Sequence, residues 1–157
     1  MSPKSSTIAT GIDRFLGCEL AGEIEFLAAR TRSLGSARAN ALLAPLGLKV
    51  RSYSVLSLAC SDLSPTQREL AEFLSLDPSQ IVPLVDQLEK GGFVERCADP
   101  NDRRSKVISA TRAGHTLYKQ ARLATAKGES TSMERLSKVE QETLRDLLSR
   151  IAFMPAN

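Results

Sequence analysis

Ser64–Gly114 reads SPTQRELAEFLSLDPSQIVPLVDQLEKGGFVERCADPNDRRSKVISATRAG. It holds two helix starts of one design, thirteen residues apart. Ser64-Pro65-Thr66-Gln67 and Asp77-Pro78-Ser79-Gln80 each offer an N-cap oxygen, a proline for the first helical position and a glutamine for the third. The spacing predicts a helix over 65–75, burying Leu70, Ala71 and Leu74, and another over 78–90, burying Ile81, Leu84, Val85 and Leu88. Pro83 lies inside the latter, removes one backbone hydrogen bond near its first turns and predicts a slight bend. Gly91-Gly92 stops that helix, with one glycine left-handed. Short strands are predicted at 93–96 and 106–110, joined by a polar, turn-rich loop over 97–105. Two tightly joined helices, with polar residues at the start of the second, make a helix-turn-helix, and the basic hairpin after it would be a wing. The chemistry suggested is reading DNA, not turning over a substrate.

Outside this stretch the pattern is helical. Residues 1–10 read as a flexible tail. A long helix is expected over about 12–43, with Leu16, Leu20, Ile24, Leu27 and Leu34 near helical spacing, ended by Pro45 and Gly47. A helix of that length needs a partner surface along its whole length, which points to a second chain. A short, weakly capped helix is expected at 53–59. Thr111 caps a helix over about 112–134, in which Gly128, Ser130, Thr131 and Ser132 predict a kink or fray. The box Ser137-Lys138-Val139-Glu140 opens a last helix to about residue 153, with Leu144, Leu147, Leu148 and Ile151 as its stripe. The expected fold is therefore mainly α with a small β-hairpin wing. Its parts are a tail (1–10), an N-terminal dimerisation helix (11–47), a winged helix-turn-helix lobe (48–111) and C-terminal dimerisation helices (112–157).

Composition narrows the function classes. Aromatic content is 4% with no tryptophan, so the core must be built of Leu, Val, Ile and Ala. The net charge is only +3, so any nucleic-acid face must be a local concentration of cations. Three cysteines, none in a C-x-x-C pair, and one histidine give no metal site, no disulfide framework and no catalytic set, so neither cofactor nor enzyme activity is expected. There is no signal peptide and no run of about 18 apolar residues, which predicts a cytoplasmic chain without a membrane partner.

The run Asp99-Pro100-Asn101-Asp102-Arg103-Arg104-Ser105-Lys106-Val107-Ile108-Ser109-Ala110-Thr111-Arg112-Ala113-Gly114 resembles the wing signature of the MarR-type winged helix-turn-helix regulators. Asp102, Arg104, Val107, Thr111 and Gly114 carry the match, and Ala110 departs from a usual leucine. The segments 48–56 and 136–148 resemble the family's second and final helices, so the likeness spans about 12–153. It implies a transcriptional repressor: a homodimer on double-stranded DNA, reading a pseudo-palindrome with half-sites about one turn (~10 bp) apart. By the same likeness Arg104 enters the minor groove. Residue chemistry adds Ser79, Gln80, Val82 and Pro83 for base edges and thymine methyls, Thr66 and Gln67 for phosphate, and Arg103 and Lys106 beside Arg104 on the wing. Gln80 also reads as a capping partner of Asp77. Asp102 would repel phosphate and is assigned to holding the hairpin or orienting an arginine.

The likeness further implies release by a small aromatic or phenolic effector between lobe and dimerisation helices, where Arg51, Tyr53 and Leu56 fall. The missing tryptophan argues against the family's urate-responsive branch. Two alternatives stand beside this reading. One is a thiol-based redox sensor acting through Cys18, with Arg14 four residues earlier on the same helical face, although the peroxide-sensing branch's cysteine position falls at Glu25. The other is a winged-helix protein–protein adaptor that does not bind DNA, against which Arg103 and Arg104 argue.

Overall fold

The computed structural model describes residues 11–102 and 104–153, so the expected tail and Arg103 lie outside the described residues. Six α-helices and one hairpin follow in the order α1 (Ile24–Leu43), α2 (Val50–Ala59), α3 (Gln67–Phe73), α4 (Pro78–Lys90), β1 (Val94–Ala98), β2 (Lys106–Ala110), α5 (Arg112–Ser132) and α6 (Lys138–Phe153). β1 and β2 pair antiparallel, with Arg96 opposite Ile108. The arrangement is the expected one, mainly helical with a two-stranded wing.

The first helix is shorter than its apolar spacing suggested. Gly11–Phe15 and Glu19–Gly22 are separate 3-10 turns, and Cys18 and Glu23 are extended. Gly11, Gly17 and Gly22 explain the break, since each glycine costs a helix about 1 kcal/mol relative to alanine. α2 begins three residues earlier than expected. Its cap comes in part from another helix: Val50 N–H donates to Asn40 Oδ1 of α1 (2.8 Å), while Lys49 N–H donates to Ser52 Oγ of α2 itself (2.9 Å).

α5 runs unbroken through its glycine to Ser132, contrary to the expected kink. Gly128 is buried where α5 crosses α1, and a Cβ there would lie 3.1 Å from Leu42 Cδ1. Its smallness serves a close helix crossing, not a bend. Ser137 and Glu140 form the expected reciprocal cap of α6 (Ser137 N–H to Glu140 Oε2, 2.7 Å).

The core belongs to the winged lobe. Val55, Leu56, Leu70, Ile81, Val85, Leu88, Val94 and Ile108 are buried together, joined by Leu43 from the end of α1 and by Leu117 and Ala121 from α5. Leu84 is only half-buried. The outer helices are different. α6 buries no residue, and α1 buries only Leu43. Ile24, Leu27, Leu34, Leu147, Leu148 and Ile151 all stand exposed. Among the described residues no helix is long and apolar enough to cross a membrane.

Candidate nucleic-acid interface

α4 is built as expected. Asp77 Oδ1 accepts from Ser79 N–H (2.8 Å), and Gln80 Oε1 accepts from Asp77 N–H (3.2 Å), closing the box that starts the helix. Hydrogen bonds from the Ser79 side chain and backbone hold the Asp77 carboxyl below the usual carboxylate range. The helix continues through Pro83 to Lys90, and Gly92, at φ 75°, turns the chain out of it. Ile81, Val85 and Leu88 face the core, leaving Ser79, Gln80, Val82 and Pro83 exposed together on the opposite side. Gln80 has its carbonyl in the cap, and its amide N–H groups point to no described partner.

α3 starts differently from the sequence pattern. Its N-cap is Thr66, not Ser64, and its box partner is Glu69, not Gln67. Ser64 sits in the left-handed region (φ 48°), where it turns the chain so that Pro65 and Thr66 run beside β2. Ile108 N–H donates to Pro65 O (2.8 Å), and Thr66 bridges Val107, giving the hairpin a third short edge that the sequence pattern did not suggest. This pairing uses the peptide groups that a capping role for Ser64 would have drawn into α3.

The two residues assigned to phosphate are engaged inside the chain. The Thr66 hydroxyl donates to Glu69 Oε2 (2.8 Å) and accepts from Glu69 N–H (3.2 Å), so a carboxylate already sits at the mouth of α3. Thr66 also holds the Glu69 carboxyl below its ordinary range, through its backbone N–H first and then its hydroxyl. Gln67 Oε1 accepts from Arg96 Nε (3.1 Å) and Nη2 (2.9 Å), which leaves only its amide nitrogen for a phosphate.

Arg96 is the residue that sequence reasoning missed. From β1 it pairs with both Asp86 and Glu89 of α4 while holding Gln67 of α3, and its own N–H donates to Glu89 Oε1 (3.2 Å). Burial opposes its charge, and the two carboxylates more than offset that cost, so its pKa is raised. One planar fork therefore fixes α3, α4 and the wing to each other and neutralises two acids on α4. Both acids are substantially exposed (57% and 40%), so solvent screens the pairs. Arg96→Ala is accordingly expected to cost only about 1 kcal/mol in a urea melt, and Arg96→Lys to restore part of it. A loss of more than about 3 kcal/mol, or full rescue by lysine, would contradict a screened fork.

In the wing, Asp102 makes the hydrogen bonds expected of a residue that holds the hairpin. Its Oδ1 accepts from Arg104 N–H (3.0 Å), its carbonyl accepts from Ser105 N–H (2.9 Å), and Asp99 N–H closes the turn onto Ser105 O (3.0 Å). Arg104 and Lys106 are exposed, and neither forms an ion pair among the described residues.

The expected effector residues do not come together. Leu56 is fully buried in the core, Tyr53 stacks on Tyr118 (6.1 Å between ring centroids), and Arg51 lines a cleft between α1, α2 and α4 that neither of the other two lines. The Arg14–Cys18 adjacency also fails, because the chain between them is not a continuous α-helix and the Arg14 guanidinium lies over the Phe15 ring (4.6 Å). Cys18 is an exposed free thiol. Burial raises the Cys60 thiol, and burial with nearby Glu95 raises Cys97, so both are poor thiolates.

Comparison with known proteins bears on this geometry. The MarR family profile matches residues 48–106, the winged lobe as far as the wing. A crystal structure described as a MarR-family transcriptional regulator from Rhodococcus sp. RHA1 is 41% identical, with a TM-score of 0.79 over 85% of this chain and 96% of that one. CouR from Rhodococcus jostii RHA1, described as bound to p-coumaroyl-CoA, is 41% identical, with a TM-score of 0.80 over 88% of this chain and 97% of that one. The multiple antibiotic resistance protein MarR of Escherichia coli K12 is 33% identical over 82 residues, 52% of this chain and 56% of that protein. The chain thus spans little more than half the length of the curated relatives it matches, 60% of one from Thauera aromatica and 56% of E. coli MarR.

Proposed function

Because the chain belongs to the MarR family of transcriptional regulators, we propose that it represses transcription by binding a pseudo-palindromic site on double-stranded DNA as a homodimer. The observation that carries this reading is the pairing of one exposed helix face with one cationic turn. Ser79, Gln80, Val82 and Pro83 lie outward on the first turns of α4, and Arg104 and Lys106 stand exposed on the adjoining wing. In this reading the α4 residues read base edges in the major groove, and Arg104, with Arg103 beside it, lies in the minor groove. Gln67 keeps its amide nitrogen for a phosphate, while Thr66 acts through the cap.

Residues 48–111 are the DNA-binding lobe in this proposal, and 11–47 and 112–157 supply the dimer contacts. The apolar side chains left bare on the outer helices support that division. The effector class is an aromatic acid or its thioester, in keeping with the p-coumaroyl-CoA described for CouR. No described feature favours the adaptor or Cys18-sensing alternatives.

Selection from random duplexes is the test, and it should return two inverted half-sites with centres about one turn (~10 bp) apart. Arg104→Ala should weaken binding nearly uniformly across sequences and lower the salt slope by about 1 per contact removed. Recovery of no shared motif, or an Arg104→Ala variant with wild-type affinity and slope, would refute the proposed contacts.

A further inference from the structure

α6 buries nothing in its own chain, yet its last residue reaches the winged lobe. The Phe153 ring stacks on Phe73, with ring centroids 5.7 Å apart and planes 24° from parallel. Phe73 is the last residue of α3, at the corner where the chain turns toward α4. Its helix neighbours Leu70 and Ala71 are buried, while Phe73 and Phe153 are 59% and 65% exposed, so the stack lies on the surface, outside the core. The other described side-chain links of α6 to its surroundings lead back to α5 and the turn after it. Gln141 Nε2 donates to the carbonyls of Met133 (3.1 Å) and Leu136 (2.9 Å), and Arg145 pairs with Glu129 (3.6 Å). At about 24 Å long, α6 is therefore a strut from the end of α5 to the helix-turn-helix.

The lobe is otherwise attached at two places. α1 enters it through Leu43, which is buried in the core, and Asn40, which caps α2. α5 leaves it through Leu117 and Ala121, with Gly114 close against Phe93. A body held at two places can still swing about the line that joins them, as a hinge does. A third contact, on a separate element, opposes that swing. We propose that the Phe73–Phe153 stack is a clasp that sets the angle of each winged lobe against the dimerisation helices, and so sets the half-site spacing that the dimer accepts. Both are positioning residues that act through α4 and the wing without touching DNA. The inference rests on the homodimer reading above and adds what fixes the distance between the two reading helices. An aromatic pair favours its closed form by roughly two- to tenfold, enough to bias spacing without making the lobe rigid. One base pair inserted between half-sites moves one of them by about 3.4 Å and turns it by about 35°. The lobes follow by swinging, which opens the stack.

The test compares binding of the full chain to its selected duplex and to the same duplex with one base pair inserted between the half-sites. Wild type should prefer the selected spacing. Phe73→Ala and Phe153→Ala should each reduce that preference by roughly two- to tenfold, and the double variant should reduce it no further than either alone. Phe153→Tyr keeps the stack and should keep the preference. The half-site motif itself should not change in any variant, which separates positioning from base reading. Phe73→Ala alters no residue of α6, so it reports on the clasp even where Phe153→Ala loosens the dimer. An unchanged spacing preference in Phe73→Ala, or effects of the two alanines that add in the double variant, would overturn the clasp. So would the absence of nuclear Overhauser contacts between the two rings in the free protein, a measurement that needs no DNA. Failure of wild type to select any motif would tell against the DNA-binding proposal instead.

Discussion

Leu148→Asp with Ile151→Asp is expected to yield a monomer that binds DNA roughly 10²- to 10⁴-fold more weakly than wild type, the factor lost when two linked sites no longer bind together. Both positions lie on the exposed face of α6, at 50% and 72% exposure, and α6 buries nothing within its own chain. Ile24, Leu27 and Leu34 leave α1 equally bare. Covering a leucine or isoleucine contributes about 1.5–3 kcal/mol, so these five residues, with Leu147 beside them, form an ample interface per chain. Two buried aspartates would cost more than such an interface could readily return. Since neither residue belongs to the winged lobe's core, each lobe should keep its fold, as judged by retained helical circular dichroism. Sedimentation equilibrium and DNA titration measure the two halves of the claim. A variant that remains dimeric would remove α6 from the interface. A monomer with undiminished affinity would show that paired lobes are not needed.

Gly114→Ala is expected to lower stability by about 3 kcal/mol, near the upper end for overpacking, and the melting temperature by roughly 6–12 °C. A Cβ at Gly114 would lie 1.9 Å from the Phe93 carbonyl oxygen, a backbone atom that cannot rotate away. That carbonyl is fixed because it accepts from Thr111 N–H (3.0 Å), while the Thr111 hydroxyl donates to Gly92 O (2.6 Å). Gly114 N–H in turn donates to Thr111 Oγ1 (3.1 Å). The start of α5 is thereby pressed against the turn that leaves α4. Gly92→Ala makes a useful contrast, with open space around its Cβ but φ at +75°. It should cost only about 1–2 kcal/mol. A Gly114→Ala variant within about 0.5 kcal/mol of wild type would mean that the junction yields.

What the sequence made legible was local. Asp77, Pro78 and Gln80 set the start of α4, Gly91-Gly92 its end, and Thr111 and Ser137 the starts of the last two helices, because capping chemistry acts within three residues. The wing signature located the hairpin, and its Gly114 proves to be a site of close backbone approach. What escaped depended on partners distant in the chain. Arg96 reads as one more charged strand residue until α3 and α4 bring Gln67, Asp86 and Glu89 around it. Asn40 caps a helix that begins ten residues later, so α2 looked weakly started. Ser64 matched a capping pattern, but pairing of Pro65 and Thr66 with β2 took precedence over it. Near the N-terminus, apolar spacing outweighed three glycines in the reading, and the glycines prevail in the fold. The three effector candidates do not converge, because Tyr53 and Leu56 share α2 with Arg51 but pack against the interior of the chain.

The central claim is that α4 and the wing form a DNA-reading surface presented twice by a homodimer. The most direct measurement is equilibrium binding of the wild-type protein to its selected duplex over a series of salt concentrations. With Arg103, Arg104 and Lys106 from each chain neutralising phosphate, log K should fall linearly against log salt with a slope of about −5. Absence of binding at low salt, or an affinity indifferent to salt, would contradict the account.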